Sequence, residues 1–320
     1  MAVAALITGA GGFLGRRLID LGRRRGWDMR GTVRDRRAVA GDASNMAELD
    51  LGAPEADWRR ALRGVDVVIH AAARTHVLRE KDVDAGAAYR SINVEATERI
   101  AGFAAAEGVR RFVFVSSIHV HGSASQGEPL TEDSPQEPAT LYAKSKRDAE
   151  IALEAVARRT GIEAVIVRPP LVYGPNVKAN FRRLIELADK GVVVPFALVR
   201  NRRSLMYVDN LADLLLAMTT HPGAAGRSFV AADDTVFSTR DLWREIAVRL
   251  GRPCHMLPVP VPLIRAAAWA AGKTDLYEKL CLSLEVDASQ ARRRLGWQPP
   301  VIVRDALDTT VAWYRSEHRR

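Results

Sequence analysis

Two hydrophobic rhythms alternate along the first half of the chain. Short aliphatic or β-branched runs, VAALIT, RGTVR, VDVVIH and RFVFVSS, are separated by segments in which apolar residues recur every three or four positions. The first kind reads as strands, the second as helices with one apolar stripe. Helices are expected from about Phe13 to Arg25, after Pro54, and along a stretch ending near Glu107, and EAVIVRPP supplies one more strand. Strand and helix in regular alternation predict an α/β fold, a doubly wound parallel sheet with helices on both faces. Gly26, Gly108 and Gly161 fall where those helices should stop, the position at which a left-handed cap favours glycine.

After Pro169 the rhythm breaks. Proline and glycine punctuate PPLVYGPNVKANF, GVVVPF, LGRP and LPVPVP, and strand-like runs become sparse. This predicts a first domain over residues 1–168 and a smaller second lobe over 169–320. About 206–235, within SLMYVDNLADLLLAM and RSFVAAD, is expected to return to the first.

Composition narrows the class. With 48% apolar and 27% charged residues among 320, the chain is ordinary globular protein. Its formal net charge of +9 raises nucleic acid or an anionic membrane as partners, but the arginines are spread along the whole length. No dense basic block is interleaved with aromatics, so nucleic acid is not expected, and most of the charge reads as solvated surface. Cys254 and Cys281 sit in packing contexts and suggest neither a disulfide framework nor a metal site, which fits a reducing compartment. MAVAALITGAGG lacks a cationic leader and runs straight into a glycine turn, so it reads as a strand and not a signal peptide. The most apolar later stretch, Leu257 to Gly272, is broken by prolines and carries Arg265. No membrane span is expected, and a cytoplasmic protein is.

The first strand runs into Thr8-Gly9-Ala10-Gly11-Gly12-Phe13-Leu14-Gly15 and then a helix, the context in which such glycines bind a dinucleotide. Gly9 allows the tight turn, Gly12 lets backbone N–H groups approach a pyrophosphate, and Gly15 lets helix and strand pack closely. The second strand ends Thr32-Val33-Arg34-Asp35, with Arg34 where an NAD-binding fold would normally place an acid. A guanidinium there can pair with a 2′-phosphate and favours NADP over NAD. The alternative is that Asp35 takes the ribose hydroxyls and Arg34 stacks on adenine.

Tyr142 and Lys146 in LYAKSK are one helical turn apart and project from one face. An ammonium near a phenol stabilises phenolate and lowers its pKa, which turns a poor base into a usable proton carrier. Ser116 and Ser117 end the strand RFVFV, at the sheet edge where open α/β folds bind ligands. A hydroxyl there can hydrogen-bond a carbonyl or alkoxide beside the tyrosine. Glycine turn, serine and Tyr/Lys pair together point to hydride transfer at a carbinol carbon.

These motifs, TGAGGFLG (8–15), HAAA (70–73), SSIHVHG (116–122), YAKSK (142–146), RPPLVYGP (168–175), RRSLMYVDN (202–210) and DASQARRRLGW (287–297), resemble the extended short-chain dehydrogenase/reductase family, its NAD-dependent epimerase/dehydratase group, over essentially the full length. The resemblance implies a Rossmann-type domain, with 169–320 largely substrate-binding. It implies Tyr142 as acid/base, Lys146 on the nicotinamide ribose and Ser117 on the sugar oxygen. It also implies cofactor contacts from Gly9, Gly12, Phe13, Leu14, Arg34, Asp50, Leu51, Ala71, Ala72, Asn93, Tyr142, Lys146 and Pro170. Asn180 and Arg203 would contact the diphosphate of a nucleotide-sugar substrate, His70 would be structural, and no metal is implied. Family members often dimerise through the helix bearing YAKSK and the long helix near Asn93, so a homodimer is expected.

The 4,6-dehydratases of that group carry Asp-Glu directly after the position of Ser117, where this chain has Ile118 and His119, so dehydration lacks its acid and base. What remain are reduction of a 4-keto sugar and 4-epimerisation. The segment from Lys178 to Asn210 most resembles the branch acting on UDP-N-acetylhexosamine derivatives in surface-polysaccharide synthesis. Arg34 tilts the reading toward reduction of a UDP-4-keto-6-deoxy-N-acetylhexosamine with exchangeable NADPH. The alternatives are a UDP-glucose or UDP-N-acetylglucosamine 4-epimerase with tightly held NAD and, more remotely, a steroid- or flavonoid-like alcohol as substrate or a non-catalytic NADP sensor.

Overall fold

The computed structural model describes residues 2–36, 44–51, 58–75 and 84–318. The elements are β1 (Ala4–Thr8), α1 (Phe13–Arg24), β2 (Asp28–Val33), β3 (Met46–Glu48), α2 (Trp58–Leu62), β4 (Val67–His70), α3 (Ala85–Tyr89), α4 (Ala96–Ala106), β5 (Arg111–Val115), α5 (Leu141–Thr160) and β6 (Glu163–Arg168). They continue with β7 (Leu171–Tyr173), α6 (Ala179–Asp189), β8 (Arg203–Tyr207), α7 (Val208–Thr220), β9 (Arg227–Val230), β10 (Val236–Phe237), α8 (Thr239–Leu250), α9 (Val261–Ala270), α10 (Thr274–Cys281), α11 (Ser289–Leu295) and α12 (Val303–His318). Pro54, after which a helix was expected, lies outside the described residues; α2 begins at Trp58.

Among the described residues seven strands form one sheet in the order β3-β2-β1-β4-β5-β6-β9, parallel throughout. Side chains alternate strictly across it. Ala5, Ile7, Val67, Ile69, Val113, Val165 and Val167 face a core shared with α1 and α7, whereas Leu6, Val68, Phe112, Phe114 and Ile166 face a second core shared with α2, α4 and α5. Both faces are dry, which is why these strands read as continuous apolar runs. The strand order reverses between β1 and β4, and the crevice beyond the carboxyl ends of strands at such a point is where open α/β sheets take ligands.

A second, three-stranded sheet, β10-β8-β7, carries its own core around Tyr173, Phe181, Trp243 and Ile246. The chain crosses between the layers more than once: α7 packs its Leu211, Leu214 and Leu215 on the large sheet, and β9 extends that sheet beside β6.

The long helix expected to end near Glu107 is interrupted. Between α3 and α4 lies a π-helical turn, Arg90–Glu95, one of the rare insertions that often mark functional positions. Among the described residues no helix is long and apolar enough to cross a membrane.

Candidate active site

The glycine turn after β1 is built for close approach. Gly9 takes φ +69°, a left-handed value that glycine adopts without strain, and a Cβ at Gly15 would collide with the Gly9 carbonyl and lie 2.7 Å from Ala10 Cα. Gly12 caps α1 with extended backbone and no side-chain hydrogen bond, so the first N–H groups of that helix face outward with the helix dipole behind them. Gly9 and Gly12 line a groove with Arg34, Asp50, Leu51, Ala71 and Ala72, at the strand ends beside the switch point. Gly11, Thr32, Val33, Asp35, Leu49, Ala73 and Ile92 complete it. Of these, Ile92 belongs to none of the motifs that the sequence singles out. Arg34 and Asp35 both reach the groove, so either can meet an adenosine ribose. The arrangement fits an extended dinucleotide.

Phe13 and Leu14 form the first turn of α1 and pack toward the second-lobe core. Pro170 is buried just beyond β6, next to Pro169, whose carbonyl accepts from Ile118 N at 3.0 Å. Asn93, in the π-helical turn, is 1% exposed and its amide is fully engaged. Oδ1 accepts from Arg74 N (2.8 Å), and Nδ2 donates to Arg74 O (3.0 Å) and Ser145 Oγ (2.9 Å). Asn93 thus ties the segment after β4 to α5 from behind the groove.

His70 extends this tie. Thr97 Oγ1 spends its proton on the Asn93 carbonyl (2.7 Å), so it accepts from His70 Nε2 (3.1 Å). Nδ1 of His70 then accepts from Thr8 Oγ1 (2.7 Å), which accepts from Ala72 N (3.1 Å). One neutral tautomer satisfies the whole chain. Burial, aided by the charge of Lys146, pushes the His70 pKa down to about 3.

Ser117 follows β5 and caps a short 3-10 turn, Ile118–His121, accepting from His119 N at 3.3 Å. Thr140 caps α5 through Ala143 N (3.1 Å), and this starts the helix so that Tyr142 lies in its first turn. Tyr142 and Ser117 share a side-chain hydrogen bond, and the Tyr89 ring meets Tyr142 edge-on at 6.5 Å. Lys146, one turn on, is 2% exposed, its Nζ 4.2 Å over the Phe114 ring.

The expected lowering of the Tyr142 pKa by Lys146 is corrected by this geometry. Burial pushes the phenol up to about 12, with the Ser117 bond working against it. Burial also draws Lys146 down to about 7, with Glu150 the charge that holds it up. Desolvation therefore dominates at both groups, over the Ser117 hydrogen bond at Tyr142 and over the Glu150 charge at Lys146.

Asn180 and Arg203 lie in the second lobe. Asn180 is exposed in the first turn of α6. Arg203 opens β8 with Nη1 on the Leu282 carbonyl (2.9 Å), and burial lowers its pKa to about 10. Arg200 is exposed and Arg202 pairs with Glu285. Sequence reasoning missed Asn201, which is buried and fixes this segment by accepting from Thr239 N (2.8 Å) and donating to Leu282 O (2.9 Å). It also missed Glu150, although Tyr142, Lys146 and Glu150 repeat at four residues along α5. Among the described residues no cluster of His, Cys, Asp or Glu could hold a metal ion.

Residues 5–232 match the model of the NAD dependent epimerase/dehydratase family. The chain belongs to that family. A UDP-glucose 4-epimerase of Vibrio cholerae is 36% identical over 100% of this chain and 98% of its own length. A dTDP-glucose 4,6-dehydratase of Streptomyces griseus is 31% identical over 100% and 96%. The dTDP-glucose 4,6-dehydratase of Streptomyces venezuelae, solved with NAD bound, shares the fold with a TM-score of 0.79 at 24% identity, covering 99% of this chain and 98% of that one. Family members are short-chain dehydrogenase/reductase enzymes that use a nicotinamide dinucleotide, and so does this chain.

Proposed function

We propose that the protein reduces the C4 carbonyl of a nucleotide sugar, a UDP-4-keto-6-deoxy-N-acetylhexosamine, with NADPH as the exchangeable coenzyme. The observation that carries this is the hydrogen-bonded Tyr142–Ser117 pair, with Lys146 behind it, at the carboxyl edge of a sheet whose glycine turn fits a dinucleotide. Arg34 in the groove supports NADPH by offering a guanidinium to a 2′-phosphate. The Vibrio relative, named for a UDP-sugar, and the Streptomyces structure with NAD bound support the substrate class and the type of coenzyme.

Gly9, Gly12, Arg34, Asp50, Leu51, Ala71 and Ala72 would hold the dinucleotide, with Lys146 toward its nicotinamide end. When bound, that group supplies the hydride. Ser117 donates a hydrogen bond to the C4 oxygen, and Tyr142 gives that oxygen its proton as negative charge develops there. A phenol held protonated by burial suits this direction, because at neutral pH it is already the acid that reduction requires. Asn180 and Arg203 hold the diphosphate, a guanidinium being matched to paired phosphate oxygens. Ile118 is fully buried and apolar where a dehydratase would present a carboxylate, which argues against elimination. Exposed Leu141 and Ile151 on α5 support a homodimer built on that helix.

A second reading, 4-epimerisation with retained NAD, is favoured by the name and coverage of the Vibrio relative. Purified protein incubated with the 4-keto sugar and NADPH should consume one coenzyme per sugar. Conversion of UDP-glucose or UDP-N-acetylglucosamine without net consumption, with NAD retained through purification, would establish the epimerase instead.

A further inference from the structure

Behind Ser117 and Lys146 lies a buried charged cluster to which the hydride-transfer reading gives no role. Glu150 sits one turn beyond Lys146 on α5 and is 2% exposed. Its carboxylate accepts from Ser116 Oγ, from Arg168 Nε (3.1 Å) and Nη2 (2.8 Å), and from Gln136 Nε2 (3.3 Å). Arg168, at the end of β6, also donates to the Glu132 carbonyl at 3.0 Å and contacts His121 Nε2 at 3.1 Å. Burying such a pair costs several kcal/mol per ion in desolvation, and apolar side chains of equal volume stabilise a core as well or better. The cluster therefore calls for a reason beyond stability.

Its contacts supply one. Ser116 precedes Ser117, and its amide is fixed on Val167 O at 2.7 Å, so β5, β6 and α5 meet at this carboxylate just behind the hydroxyl that bonds Tyr142. We infer that Glu150 is a positioning residue for the reaction: its carboxylate, held by Arg168, anchors the Ser116–Ser117 strand end and lies one helical turn from the buried Lys146 amine. This rests on the roles given above to Ser117, Tyr142 and Lys146. Among the groups packed around the pair, His70 on β4 is neutral, Arg168 balances Glu150 from β6, and His121 and Glu132 flank Arg168 from the turn and loop after β5. Burial lowers the pKa of His121, and Arg168 adds to this; burial raises that of Glu132. Burial works to discharge Lys146, and Glu150 is the charge that opposes it.

The chain has seven lysines, so [ε-13C]lysine spectra of the full-length protein can follow each through a pH titration without any substrate. One lysine should titrate near pH 7, and its signal should vanish in Lys146→Arg. Glu150→Gln should move that midpoint down by about one unit or more, and Glu150→Asp, which keeps the charge, should bring it back toward the wild-type value. A wild-type Lys146 that titrates like the other lysines, or a midpoint indifferent to Glu150→Gln, overturns the proposal. If Glu150→Gln does not fold, Ser116→Ala carries the test: it should lower kcat about tenfold with KM for the coenzyme unchanged, and an unchanged kcat overturns the anchoring role. The titration reads Glu150 alone, whereas turnover by Tyr142→Phe reads the assignment of the site, so the two can fail separately.

Discussion

Beneath the dinucleotide turn, the buried polar contacts run through neutral groups: Ala72 N to Thr8, Thr8 to His70, His70 to Thr97, and Thr97 to the Asn93 carbonyl. Beneath Ser117 they run through charges, with Glu150 and Arg168 at the centre and His121 and Glu132 attached. Phe114 joins the first system to the reacting edge: its ring stacks with His70 at 5.8 Å and has Lys146 Nζ 4.2 Å from its centre. A neutral chain in which every hydroxyl both donates and accepts needs no desolvated charge, and it holds geometry constant over a wide pH range. A buried ion pair is dearer in desolvation, but it sets a field, and a lysine drawn toward discharge by burial needs one. The first system suits a binding edge and the second a reacting one.

The comparison breaks most sharply at Tyr142. Tyr142→Phe removes the proton donor and leaves the neutral chain intact, so turnover should fall by about 10²- to 10⁴-fold, while stability changes by about 1 kcal/mol, the worth of one hydrogen bond. Steady-state kinetics beside denaturant unfolding checks both, and near-normal turnover would mean that the reacting edge lies elsewhere. Asn93→Asp puts a charge into the neutral system, keeping the acceptor for Arg74 N but turning the donor toward Arg74 O and Ser145 into a second acceptor. Unfolding free energy should drop by about 3 kcal/mol, with coenzyme affinity falling alongside; a neutral result would show that this end tolerates charge after all. His70→Leu should act less severely. It leaves Thr8 and Thr97 each one partner short and should lower unfolding free energy by about 2 kcal/mol.

How much of this is legible in the chain follows from what each feature depends on. The glycine turn and the alternating strands are encoded in backbone permissiveness and apolar periodicity, both local, and the seven-stranded sheet follows from them. The four-residue step from Tyr142 to Lys146 is equally local. Glu150 carries the same step, but an acid in an amphipathic helix reads as solvated until β6 brings Arg168 to it. The π-helical turn at Arg90–Glu95 was hidden because the contacts its Asn93 makes, to Arg74 and Ser145, join segments distant in the sequence. The pKa directions of Tyr142 and Lys146 were hidden as well, since burial comes from segments far away in the chain and only the neighbouring charge is visible in the motif. In the second lobe, the partner of Arg203 is the Leu282 carbonyl, and no spacing rule joins those two.

The effect that is smallest per step of pH tests the neutrality of the dinucleotide edge directly. His70 has its pKa lowered from 6.5 to about 3 in the folded chain, chiefly by burial. Below pH 6.5 the unfolded chain takes up a proton that the folded chain refuses until about pH 3, so this group's contribution is whole above 6.5 and is lost as pH falls through that window. The loss amounts to at most about 1.4 kcal/mol per pH unit. Other buried groups titrate in the same range, Glu132 in the opposite sense because burial raises its pKa, so total stability is a poor reporter. The difference between wild type and His70→Asn, which has no imidazole to titrate, isolates the histidine. By urea unfolding between pH 7 and pH 4, that difference should shrink steadily as the wild type loses its advantage. Two parallel curves would mean that the folded imidazole accepts its proton as readily as the unfolded one, which is incompatible with a histidine whose Nδ1 must accept from Thr8 while its Nε2 donates to Thr97.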